Sequence, residues 1–109
     1  MTIQTRKIGL NRGKNRIWLE GKILTYFGIE HGMRFDVVNS PNSLLILINP
    51  DGKRKIAGNK ARPIIDMSAG TIDASEFVSR VVSVQPIKPG SNGNYPGIIL
   101  TGIPVPLQK

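Results

Sequence analysis

Six basic side chains fall within the first 22 residues, Arg6, Lys7, Arg12, Lys14, Arg16 and Lys22, against the single acid Glu20. They flank a small-residue stretch, Gly9-Leu10-Asn11-Arg12-Gly13-Lys14-Asn15, and lead into the apolar run Ile17-Trp18-Leu19. A guanidinium is a planar fork that pairs bidentately with a phosphate or a guanine edge, whereas an ammonium acts as a point charge. Gly13 and Asn15 allow close backbone approach and N–H donation to phosphate oxygens. The chemistry such residues support is capture of a polyanion, of which nucleic acid is the commonest. Lys53-Arg54-Lys55, with Lys60 nearby, forms a second basic cluster of the same kind. Solvation of these charges, or contact with an acidic protein, is the alternative use for them.

Other chemistry finds less support. Trp18 sits in an apolar run and is expected in the core, with base stacking as the alternative. Tyr26 and Phe27 are expected in the core or an interface. Arg16 and Arg62 are each followed four residues later by an acid, Glu20 and Asp66, so ion pairing competes with nucleic-acid contact for both. The only histidine, His31, lies between glycines with no second histidine or cysteine to complete a metal site. The pairs Glu20/Asp66 and Asp36/His31 have no spacing that marks acid–base work. Neither a phosphate-cradling lysine-serine loop nor a dinucleotide glycine pattern is present. The expectation is a binding module and not an enzyme, with no cofactor and no metal.

The chain has 109 residues, enough for one core, and a net charge of +8. The surplus is uneven. Residues 1–60 hold eleven Lys/Arg and four Asp/Glu, and residues 61–109 hold four and three. A one-sided surplus points to a binding face. With no cysteine, disulfides are excluded and a reducing, cytoplasmic setting is expected. No segment approaches the ~18 apolar residues of a membrane span, and charge stands where a signal peptide would be apolar.

The elements that must position these charges read as mainly β, with many turns. Ile3 to Gly9 and Arg16 to Glu20 are expected as strands around the basic loop. Residues 21–28 are expected as a short helix with Ile23, Leu24 and Phe27 on one face and Gly28 ending it. Residues 34–38 and 44–48 form a hairpin through Asn39-Ser40-Pro41-Asn42-Ser43, and Asn49-Pro50-Asp51-Gly52 is a turn. The second half repeats this plan. Lys55 to Asp66 echoes Lys7 to Glu20, with Arg62 aligned on Arg16. Asp73-Ala74-Ser75-Glu76 resembles a capping box opening a helix through Phe77 and Val78. Val81 to Ile87 and Gly97 to Ile103 form a hairpin across a long loop, Lys88 to Pro96. The Ile103-Pro104-Val105-Pro106 tail is expected to be extended.

The order of Arg6-Lys7-Ile8-Gly9, Asn11, Arg16-Ile17, a short helix, Gly28-Ile29-Glu30-His31-Gly32-Met33 and Leu44-Leu45-Ile46-Leu47-Ile48-Asn49-Pro50 resembles the AbrB/MazE-like swapped-hairpin superfamily. Leu19-Glu20-Gly21-Lys22-Ile23-Leu24 is similar to its SymE branch, and Trp18-Leu19 stands where the stricter family has proline after Arg-Ile. The resemblance covers residues 5–50 and, more weakly, 54–103. It implies a swapped-hairpin β-barrel with one short helix per repeat. Residues 1–52 would be the basic, DNA-binding unit, and residues 53–109 a degenerate unit completing the barrel. The chain would then be a homodimer or a pseudo-dimeric monomer. The resemblance also implies contact with double-stranded DNA, or RNA, through Arg6, Lys7, Arg12, Lys14 and Arg16, with Lys22, Lys53, Arg54 and Lys55 adding to the basic surface. Transcriptional regulation is the expected role. A SymE-like toxin acting on RNA or the nucleoid, or a phage- or plasmid-type inhibitor of another protein, is the alternative. The acidic tail of family antitoxins is missing.

Overall fold

The fold comes from a computed structural model that describes residues 4–88 and 95–104. The loop expected at Lys88 to Pro96 and the tail beyond Pro104 lie mostly outside the described residues.

The described residues form ten strands and two five-residue helices, with alternation of buried and outward positions marking the longer strands. The first half contains β1 (Gln4–Lys7), β2 (Gly9–Asn11), β3 (Lys14–Glu20), α1 (Lys22–Tyr26), β4 (Arg34–Ser40) and β5 (Ser43–Ile48). The second contains β6 (Arg54–Lys55), β7 (Ala57–Asn59), β8 (Arg62–Met67), α2 (Ala69–Asp73), β9 (Val81–Ile87) and β10 (Gly97–Gly102). They form a six-stranded sheet in the order β1-β9-β10-β5-β4-β6 and a four-stranded sheet in the order β2-β3-β8-β7. Every pairing is antiparallel.

Exchanging each strand of the first half for its counterpart in the second reverses both orders and leaves them unchanged. The registers exchange as well. Gly9↔Arg16 becomes Ala57↔Ile64 and Asn11↔Lys14 becomes Asn59↔Arg62, each 48 residues on. The same shift carries Trp18 to position 66, which is already its cross-strand partner. Leu45, moved 54 residues along with its strand, reaches its own partner Ile99. A pseudo-twofold axis therefore threads the Trp18–Asp66 pair in one sheet and the Leu45–Ile99 pair in the other.

The halves are interleaved. β1 lies on β9 of the opposite half and β6 on β4, so each half covers one edge of the other. Between β1 and β2, Ile8 is buried where the chain crosses from one sheet to the other, and its N–H donates to the Arg80 carbonyl at 2.7 Å. Ile56 repeats this between β6 and β7, donating to the Met33 carbonyl at 2.8 Å. One core joins the sheets. Phe35, Leu44, Ile46, Val84, Ile98 and Leu100 come from the larger, Ile17, Leu19, Ile65 and Met67 from the smaller, and Leu24, Phe27 and Ile72 from the helical segments.

Several expectations change. Among the described residues the sheets are open, and no closed barrel forms. The strand expected from Ile3 to Gly9 breaks at Ile8, because that residue turns into the core. The basic loop is largely a two-stranded ladder closed by Arg12-Gly13 alone, both with positive φ (55° and 79°), the pattern of a type I′ turn. Residues 73–76 do not open a helix. Ser68 precedes the actual helix, Asp73 closes it, and Glu76 takes a left-handed φ of 48° that no helix continues through. Tyr26 is 78% exposed, while Phe27 is buried as expected. Gly28 takes φ 80° after the helix end, as its C-terminal position requires.

Candidate nucleic-acid interface

Side chains alternate across a strand, so inward Ile17 and Leu19 force Lys14, Arg16, Trp18 and Glu20 onto the outer face of the smaller sheet. Inward Pro63, Ile65 and Met67 do the same for Arg62, Ile64 and Asp66. Small or polar residues, Gly9, Asn11, Ala57 and Asn59, complete this outer face on the edge strands. Trp18 therefore lies outside the core at 41% exposure, contrary to what its apolar neighbours suggest. The reason is phase: three consecutive apolar residues on a strand cannot all face inward.

Two crosswise ion pairs surround Trp18. Arg16 donates to Asp66 from Nε at 2.9 Å and from Nη2 at 3.1 Å. Arg62 reaches Glu20 at 2.7–2.8 Å. The Arg16 guanidinium also lies 4.4 Å from the centre of the Trp18 ring, a cation–π contact. Arg62, and after it the Trp18 indole, hold the Glu20 carboxyl below the usual carboxylate range. The Arg16 pKa is raised through its hydrogen bond to Asp66, and the Arg62 pKa through Glu20. The middle of the outer face is thus close to electroneutral.

The uncompensated charge sits at the ends. Arg12 and Lys14 are exposed at the tip of the β2–β3 hairpin, with no ion-pair partner among the described residues. With Asn11 and Arg16 they face Ser68 and Gly70, at the start of α2, across an open concavity of about 390 Å³. α2 also ties the second basic cluster to this hairpin. Asn15 donates to Asp73 at 2.7 Å, and the Arg54 guanidinium donates to Thr71 Oγ1 at 2.8 Å. Lys53 and Lys55 flank Arg54 and are exposed. Lys53 gives its backbone N–H to Asp36, whose carboxyl is lowered first by the Asn49 amide and then by that N–H.

The remaining candidates lie apart. Arg6 and Lys7 occupy β1, an edge of the larger sheet, where Arg6 donates to the Thr5 carbonyl. Lys22 begins α1 and is exposed. His31 is exposed in the turn after α1, near Lys60. Arg80, which the sequence does not single out, braces the first hairpin by donating to the Ile8 carbonyl at 2.7 Å and to Asn15 at 3.0 Å.

Register also reassigns the repeat. Arg62 is the counterpart of Lys14, not of Arg16, and Lys60 is the counterpart of Arg12. The second hairpin thus keeps a cation at both positions. Of the six basic residues among the first 22, Arg16 and Lys22 lack basic equivalents, their places being taken by Ile64 and Gly70. The identical tripeptides Arg6-Lys7-Ile8 and Arg54-Lys55-Ile56 carry the same 48-residue shift, and they were the signal that could have found it.

Comparison with family models, with curated proteins and with solved structures finds no match.

Proposed function

We propose that this chain is a small DNA-binding protein, acting as a transcriptional regulator, that contacts duplex DNA through the outer face of its four-stranded sheet. One observation carries the reading. The two acids on that face are each held by an arginine, while Arg12 in the two-residue turn and Lys14 at the start of β3 have no ion-pair partner among the described residues and stand beside a concavity. The ladder fixes the backbone that carries these cations, and the small residues Gly9, Asn11 and Gly13 leave that backbone approachable by phosphates. Engagement of Glu20 and Asp66 by arginines favours a binding module over an enzyme that would need a free carboxylate.

The exchange of β1 and β6 between halves supports kinship with the AbrB/MazE-like swapped-hairpin proteins, in a pseudo-dimeric form with open sheets.

Fluorescence anisotropy with a labelled duplex, titrated between about 50 and 200 mM salt, tests the reading. Neutralising about six phosphates makes affinity fall roughly 10³-fold over that range. R12A/K14A should weaken binding while leaving the melting temperature within about a degree, because exposed charges contribute little to stability. Salt-independent binding, or none to specific or bulk duplex, would refute it.

A further inference from the structure

The second half of the chain carries a second basic arm. The 48-residue shift that superimposes the strand registers places Lys55 on Lys7, Arg54 on Arg6, Lys60 on Arg12 and Arg62 on Lys14. The β1 and β6 pairings follow the same exchange, Lys7↔Val81 answering Arg34↔Lys55. Four basic positions are therefore matched across the pseudo-twofold axis, and the axis meets the outer face at Trp18 and Asp66.

We propose that a single chain grips duplex DNA at two half-sites, with the hairpin at Arg12-Gly13 as one arm and the hairpin at Lys60-Ala61 as the other. The proposal rests on the duplex-binding reading above. It replaces the idea of one binding half and one filler half, and it makes the ligand an imperfectly dyad-symmetric duplex. Three observations support it.

β3 and β8 run antiparallel, so the arms leave the sheet in opposite directions along one face. Lys14 and Arg62 are about eight residue steps apart, counted along β3 to Glu20 and then along β8 from its partner Ile64, roughly 26 Å at strand rise. The two turns are at most about 40 Å apart by the same count. These values bracket the 34–36 Å between half-sites one helical turn apart on B-DNA.

Charge distribution agrees with two grips. Ion pairing neutralises the centre, where Arg16–Asp66 and Arg62–Glu20 flank Trp18, and leaves Arg12, Lys14 and Lys60 at the ends without ion pairs among the described residues. A continuous basic stripe would have favoured sliding along any backbone without a fixed centre.

The arms are similar but unequal. Arg12 and Gly13 both take positive φ, whereas in the second hairpin only Gly58 does. Arg16 and Lys22 have no basic counterparts, and Arg62 spends its guanidinium on Glu20. Unequal arms suit unequal half-sites, which a symmetric homodimer cannot match at both ends.

The test uses the full chain and a mixed-sequence duplex of about 14 base pairs, some 48 Å long, which accommodates one molecule lengthwise. Native mass spectrometry or sedimentation should give one chain per duplex. The matched variants R12A and K60A alter the cations at the two hairpin turns, neither of which has an ion pair among the described residues. Each should lower affinity, the two losses agreeing within about threefold, and each should reduce the log–log salt slope by about one. Full affinity in K60A, or a complex holding two chains, overturns the bipartite grip while leaving duplex binding intact. Absence of binding by the unaltered chain overturns both. Circular dichroism melts of both variants confirm that any loss is not unfolding.

Discussion

Glycines with the same φ sign do not carry the same constraint. Gly13 has φ 79° and nothing within 4 Å of where a Cβ would lie, so G13A costs only the left-handed strain of an alanine, about 1–2 kcal/mol. Gly58 has φ 85° and would put that Cβ 2.2 Å from the Arg62 carbonyl oxygen. G58A should therefore lower the urea midpoint more than G13A, and equal shifts would contradict the geometry. The Glu20 carboxyl makes a second case. Arg62 lowers its pKa in the folded state, so as pH falls the unfolded chain protonates at this site first. The stability it contributes is present above the ordinary value of 4.5 and is lost as pH falls through the lowered folded value. Urea midpoints measured from about pH 6 to pH 3 should fall less steeply for E20Q than for the unaltered chain, and an NMR titration of Glu20 should show the depressed midpoint directly. Sequence showed that Arg16, Arg62, Glu20 and Asp66 had potential partners. It did not show that the pairs cross between strands, because that depends on which residues of β3 and β8 stand opposite.

Strand and helix positions were mostly legible, since alternation and glycine placement act locally. α1, its Gly28 stop and the β4–β5 hairpin stand within a residue or two of where periodicity puts them. The misreadings have local competitors that won. Ile8 interrupts a strand because burial at the crossover outweighs continued pairing, and the Asp73 to Glu76 segment ends a helix that Ser68 had already begun. Ile8 and Ile56 do equivalent work, each buried and each bonded to the strand-leading residue of the opposite connection. I8A and I56A should each destabilise the chain by about 2–5 kcal/mol, and the two values should lie close together. Denaturant unfolding measures both. A large loss for one and almost none for the other would mean that the two crossovers are not equivalent.

The interleaving of halves makes the whole molecule the folding unit. Residues 1–52 lack the β9 that covers β1, and residues 53–109 lack the β4 that covers β6. Each fragment alone should show weak β-signal by circular dichroism or assemble with further copies, and mixing the two should restore the native spectrum. A monomeric, cooperatively folded fragment 1–52 would show that the edges need no exchange. Among the described residues, no helix is long and apolar enough to cross a membrane. Strand periodicity, turn glycines, the two identical Arg-Lys-Ile tripeptides and the concentration of charge were fixed in the chain itself, because each is a matter of near neighbours. The inward or outward phase of Trp18 and the crosswise pairing of Arg16 and Arg62 were settled by packing. Each depends on strands about 50 residues apart meeting in one register. Burial of Ile17, Leu19, Ile65 and Met67 against the larger sheet fixes that register and so decides which cations face outward together.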